Sequence, residues 1–125
     1  MDAWKRLSTD EQEKVIGRSK ENDIEMSDSV KPSNSHIALA NIEGENGEEL
    51  KIVRDNMPFG NPSTNEFGTY FIAYASTFTT VKKMLTNMFI GDPAGNYDRI
   101  LDFSTAKTGT LFFAPTRDML DDFSG

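Results

Sequence analysis

The sequence predicts an α+β fold, an antiparallel β-sheet with helices packed on one face. Three observations predict it. Strand-sized apolar runs alternate with turns marked by Gly, Pro and Asn, a capping box opens a polar helix near the N-terminus, and one amphipathic helix stands between the last two runs. A chain of 125 residues makes one domain, 1–125, long enough to bury a core.

Ser8-Thr9-Asp10-Glu11 has the spacing of a capping box, so a helix is expected over roughly 8 to 17 with Val15 and Ile16 facing inward and Gly17 as its stop. Trp4 and Leu7 can staple its start. Residues 18–35 form a long polar segment anchored by Ile24, Met26 and Val30. IALANI (37–42) is apolar or small on both faces, which suits a doubly buried strand, and LKIVRDN (50–56) reads as a second strand. Asn46-Gly47 between them is a hairpin signal, and a two-residue turn there sets Arg54 opposite Leu39. MPFGNPSTNEFG (57–68) reads as a loop and TYFIAYAS (69–76) as an aromatic strand. In VKKMLTNMFI (81–90) the apolar residues Val81, Met84, Leu85, Met88 and Phe89 share one helical face. GDPAGNYDR is a turn region, RILDFSTA a short apolar piece, and GTLFFAP (109–115) the expected last strand.

Composition excludes several classes of function. The net charge of −7, with Lys and Arg scattered, offers no basic stripe for nucleic acid. Without cysteine there is no disulfide framework and no thiolate chemistry. No apolar run approaches the roughly 18 residues of a membrane span, and the N-terminus has no apolar signal core, so a cytoplasmic protein is expected.

His36 is the single histidine, at the junction of a polar loop and the IALANI run. With no Cys and no G-x-S-x-G elbow, triad chemistry has no members, and no Gly-rich phosphate loop is present. On a strand, Ala38 and Ala40 would share the face of His36 and leave a flat apolar space beside the imidazole. Arg54, isolated in an apolar run, needs an anion or a polar partner. The two-residue turn puts Arg54 on the face opposite His36. Either His36 leaves the strand plane on the loop before it, or a bulge shifts the register.

The blocks IGRSK, KPSNSHIA, IVRDNMPFG, FGTYFIAYA and NMFIGDPAGNYDRILDFSTAKTGTLFFAP resemble the C-terminal half of DyP-type (dye-decolourising) haem peroxidases, closest to the bacterial cytoplasmic porphyrinogen-peroxidase-like subgroup. The resemblance runs through essentially the whole chain. It implies a ferredoxin-like module, the second of two in the full-length protein, with haem b as cofactor. It also implies hydrogen peroxide and a small aromatic or porphyrinogen reductant as partners, in a homo-oligomer.

By the same resemblance His36 matches the proximal axial ligand of haem iron, and Arg54 the distal arginine that meets peroxide. Asn56 matches a distal polar residue, and Arg18 an arginine that pairs with a haem propionate. The acid that takes the axial histidine's other N–H is Asp98 by spacing, with Asp102 in reserve. Phe71 and Phe113 become pocket walls. The family's distal aspartate, in a G-x-x-D-G motif, belongs ahead of the Trp4 block, and GDPAG at 91–95 is no substitute for it. A truncated fragment with the N-terminal module absent is therefore expected, unable to complete peroxidase turnover alone. A second reading is a non-catalytic ferredoxin-like module that oligomerises through the faces its missing half would cover.

Overall fold

The computed structural model describes residues 2–124. Helices α1 (Asp2–Arg6), α2 (Thr9–Ile16) and α3 (His36–Ala40) precede a hairpin of β1 (Val53–Asn61) and β2 (Glu66–Tyr74). Helix α4 (Phe78–Phe89), a 3₁₀ turn (Arg99–Asp102) and α5 (Arg117–Phe123) follow. The class is α+β, as predicted.

The capping box forms as its spacing dictates. Ser8 Oγ accepts from the Glu11 N–H at 3.3 Å, and the Glu11 carboxylate accepts from the Ser8 N–H at 2.9 Å. The Ser8 backbone N–H, then its hydroxyl, hold the Glu11 carboxyl below the usual carboxylate range. Val15 is fully buried, and the Gln12 amide donates to the Trp4 carbonyl, tying α1 to α2. Trp4 meets Phe103 edge-on with ring centroids 5.2 Å apart.

The IALANI run is not a strand. Residues 36–40 form α3, because Ser35 caps it with Oγ accepting from the Ala38 N–H, and the residues that follow include strong helix formers, Ala and Leu. A short, wholly apolar run has the same pattern in a buried helix as in a buried strand, so its periodicity could not decide. Leu39, Ala40 and Ile42 are buried, and Ala40 and Ile42 form the core with Met84 of α4. Val81, Leu85 and Met88, on the predicted stripe of α4, pack against this core together with Leu50 and Ile52.

The turn at Asn46-Gly47 also differs from expectation. Gly44 N–H donates to the Glu48 carbonyl, and Glu43 bridges Glu49, so the loop is Glu45, Asn46 and Gly47 rather than two residues. A three-residue loop shifts the register by one and the pairing ends within a few residues, so Arg54 does not face Leu39.

Where a loop was expected at 57–68, β1 runs on to Asn61 and β2 begins at Glu66, with the turn at Pro62–Asn65. The glycines that mark a loop in the sequence here make room for rings. A Cβ on Gly60 would lie 2.6 Å from the ring of Phe67, its partner, and one on Gly68 would lie 2.8 Å from the ring of Phe59. Val53, Met57, Tyr70, Ile72 and Tyr74 on one face of the hairpin are exposed.

GTLFFAP forms no strand. Residues 104–116 have no regular structure, and Leu111, Phe112 and Phe113 are exposed. A strand exists only where a neighbour takes its N–H and C=O groups, and among the described residues the sheet is β1 and β2 alone. Helix α5 was not foreseen. Thr116, with Oγ accepting from the Met119 N–H, is the cap that marks its start.

Candidate functional site

His36 is the first residue of α3, and its ring turns toward the loop that follows α4. Nδ1 lies 2.7 Å from Oδ2 of Asp98, whose side chain is 0% exposed. Asp98 is held from both ends. Its N–H donates to the Met88 carbonyl at the end of α4, and its Oδ1 accepts from the Ile100 N–H, capping the 3₁₀ turn. Two further bonds join the same loops: the Asn96 amide donates to Ser33 Oγ, and the Arg99 N–H to the Asn34 carbonyl.

A carboxylate accepts hydrogen bonds and does not donate them, so the neutral ring carries its proton on Nδ1. Its Nε2 then presents a lone pair, on a side chain 31% exposed. This is how proteins prepare an imidazole to bind a metal: a second group fixes the tautomer and makes the ring more basic. Of the two acids matched to that role, Asp98 touches the ring. Asp102 accepts instead from Tyr97 Oη at 2.8 Å, a bond that holds the Tyr97 phenol above its usual range.

Arg54, on β1, extends its guanidinium to the far end of α3. Nη1 donates to the Ala40 carbonyl at 2.8 Å and lies 3.5 Å from Met84 Sδ. A cation suits a helix C-terminus. Asn56 stands two residues along β1 and so on the same face, and Phe71 pairs with Asn56 across the hairpin. The sheet thus gathers Arg54, Asn56 and Phe71 on one surface.

The remaining matched residues are dispersed. Arg18 follows Gly17 at the end of α2, and its guanidinium binds Asp23, with Nε 2.7 Å from Oδ1, and stands 3.9 Å from Glu25. Phe113 is 76% exposed in the irregular segment. The alanine pair expected beside His36 is split by the helix. Ala40, at i+4, keeps the face of His36, whereas Ala38 lines a cleft with Lys83 and Asn87 of α4. Sequence reasoning overlooked Ser35, although a serine immediately before an apolar run is a helix-start signal.

Among the described residues no group of three or more His, Asp or Glu side chains gathers as a metal cage, and no helix is long and apolar enough to cross a membrane. What the chain offers a metal is one oriented imidazole. That donor set fits haem, which brings the iron's remaining protein-independent ligands in its own macrocycle and asks the protein for an imidazole.

The family described as Dyp-type peroxidase, C-terminal, matches residues 1–119. The dye-decolorizing peroxidase of Rhodococcus erythropolis is 62% identical over 122 residues, which cover 98% of this chain and 36% of that protein. The one from Mycobacterium tuberculosis is 60% identical over 97% of this chain and 36% of its own length. The chain therefore spans about a third of the curated relatives it matches. DypB of Rhodococcus jostii, solved also as variants in complex with haem, superposes with a TM-score of 0.92 at 55% identity over 97% of this chain and 39% of that one. A dye-decolorizing peroxidase from Bacteroides thetaiotaomicron gives 0.89 at 60% identity, over 100% of this chain and 39% of its own. The ferredoxin-like α+β class of these peroxidases is the class of this chain. With a matched profile over nearly its full length and relatives at this identity, the chain belongs to the Dyp-type peroxidases, a family of haem enzymes, in their C-terminal part.

Proposed function

We propose that residues 1–125 are the C-terminal haem-binding module of a dye-decolourising peroxidase. The whole protein would use hydrogen peroxide to oxidise dyes, phenols or porphyrinogens one electron at a time. The observation that carries this reading is the hydrogen bond between His36 Nδ1 and buried Asp98, which leaves Nε2 free to ligate iron.

Bound haem supplies the redox chemistry. The chain's own residues prepare it. His36 would hold the iron through Nε2, with Asp98 fixing its tautomer and raising its electron donation. Arg54 would stabilise the negative charge that develops on peroxide oxygen, using guanidinium N–H groups other than the one donated to the Ala40 carbonyl. Asn56 supports it from the same face of β1, and Phe71 and Phe113 wall the pocket. Arg18 would pair with a haem propionate. A G-x-x-D-G motif does not occur in these residues, so the acid that moves the peroxide proton is assigned to the rest of the protein. A cytoplasmic homo-oligomer accords with a relative from Mycobacterium smegmatis, an encapsulated DyP-type peroxidase.

Haem titrated into the chain tests the ligand. A Soret band that His36→Ala abolishes is the expected result, and an unchanged band in His36→Ala would overturn the assignment. The exposed apolar face of β1–β2 favours a second reading, a non-catalytic module that self-associates through that face. Light scattering separates the two, since a monomer that binds haem through His36 excludes the second.

A further inference from the structure

The hydrogen bond that prepares His36 joins two loops, and each loop rests on a glycine. Gly91 has φ +101°, and a Cβ there would lie 2.5 Å from Asn96 N, 2.6 Å from Asn96 C and 2.7 Å from Tyr97 N. Those are backbone atoms, which cannot swing aside, and they lead directly into Asp98. The loop is drawn in further by bonds from the Gly91 N–H to the Thr86 carbonyl and from the Gly95 N–H to the Ile90 carbonyl. On the other side Gly17, buried and with φ +92°, carries Ser35 against it. A Cβ on Gly17 would lie 2.9 Å from Ser35 Oγ and 3.2 Å from Ser35 Cβ, and Ser35 is the fully buried cap that leads into His36.

We propose that Gly17 and Gly91 are positioning residues for the His36–Asp98 pair. Gly91 lets the backbone at Asn96 and Tyr97 come closer than a side chain there permits, and Gly17 leaves the space in which the Ser35 side chain is seated. Neither touches the imidazole; each acts through the residue that carries a partner. The consequence is a hydrogen bond of fixed length, and so a fixed tautomer with Nε2 unprotonated. Gly95 is the internal control. It shares the left-handed conformation, with φ +95°, but has open space where a Cβ would stand. Substitution there strains the backbone without pushing a neighbour.

The single histidine makes the test direct, because a long-range ¹H–¹⁵N correlation spectrum of the chain contains one imidazole. The parent chain is expected to show an Nδ1-protonated ring with a low-field Nδ1 proton. Gly91→Ala and Gly17→Ala are expected to lose that proton signal and to populate the Nε2-protonated tautomer, whereas Gly95→Ala keeps the parent spectrum. Folded Gly91→Ala and Gly17→Ala chains with the parent spectrum would overturn the proposal. So would loss of the signal in Gly95→Ala. Should Gly17→Ala fail to fold, the double variant Gly17→Ala/Ser35→Gly removes the contact at little capping cost and is expected to restore folding and the Nδ1 proton; failure to do so also overturns it. This measurement needs no haem. A second readout, a shifted iron–histidine stretching frequency in haem-loaded Gly91→Ala, rests on the reading of His36 as iron ligand. A parent spectrum as expected with no such vibration in the loaded chain would fault that reading and leave the positioning role standing.

Discussion

Arg54 closes the helix that His36 opens. Its Nη1 donates at 2.8 Å to the carbonyl of Ala40, the last residue of α3, and His36 is the first. His36 and Arg54 are thus tied to the two ends of one five-residue segment, about 6 Å long at 1.5 Å per residue. Arg54→Leu should remove this bond and cost about 1 kcal/mol of stability, read by urea denaturation. If the whole protein is the proposed peroxidase, the same change should lower kcat/KM for peroxide roughly 100-fold or more, as loss of a donor to developing negative charge does. A variant with parental kcat/KM removes Arg54 from the chemistry.

Asp98→Asn should separate the acceptor role of Asp98 from its capping role. The carboxamide oxygen can still accept from the Ile100 N–H, while its N–H donates to His36 Nδ1. The ring proton then moves to Nε2, the nitrogen proposed to hold iron. Haem affinity, measured from Soret titrations, should fall by about 10- to 100-fold with little change in thermal stability. Equal affinity would mean that Asp98 does not govern the tautomer.

Met84 is buried at the centre of the core, against Ala40 and Ile42 and beside the Arg54 guanidinium. Met84→Ala should cost about 2–5 kcal/mol, a large share of the roughly 5–15 kcal/mol that holds a domain folded. Chemical denaturation monitored by circular dichroism reads the loss. A cost below about 1 kcal/mol would show that the α3–α4 contact is not the core of the domain.

Tyr97 should be slow to ionise. Its hydroxyl donates to Asp102 at 2.8 Å, and the acceptor, then the negative charge beside it, raises the phenol above its usual range. The folded state favours the protonated phenol, so this contribution is fully present below the ordinary tyrosine pKa and fades as pH rises through the raised one. Phenolate absorbance should therefore show a late step that Tyr97→Phe removes and Asp102→Asn moves to lower pH. A late step that survives in Tyr97→Phe would overturn this assignment.

How much of this was legible depended on whether a local signal had a rival. The S-T-D-E box and the stripe of α4 had none, and both helices formed as read. His36-Ile-Ala-Leu-Ala satisfied strand and helix alike, and the decision lay with one serine hydroxyl ahead of it. The 109–115 segment has strand composition, but a ladder is a property of two strands, and composition names only one of them. For the site, resemblance supplied the matched residues and geometry supplied the contacts: Asp98 rather than Asp102 on the ring, and Arg54 on a carbonyl that no spacing argument pointed to.

The crossed pairing of Gly60 with Phe67 and of Phe59 with Gly68 works as an alignment key. Slip the strands by one residue in one direction and Phe59 meets Phe67, two rings competing for one space. In the other direction Gly60 meets Gly68 and both rings lose their seats. Such a slip would also turn one strand's side chains over relative to its partner's, taking Phe71 to the opposite side from Arg54 and Asn56. Two glycines that read as loop residues in the sequence therefore keep Phe71 on the same surface of the hairpin as Arg54 and Asn56.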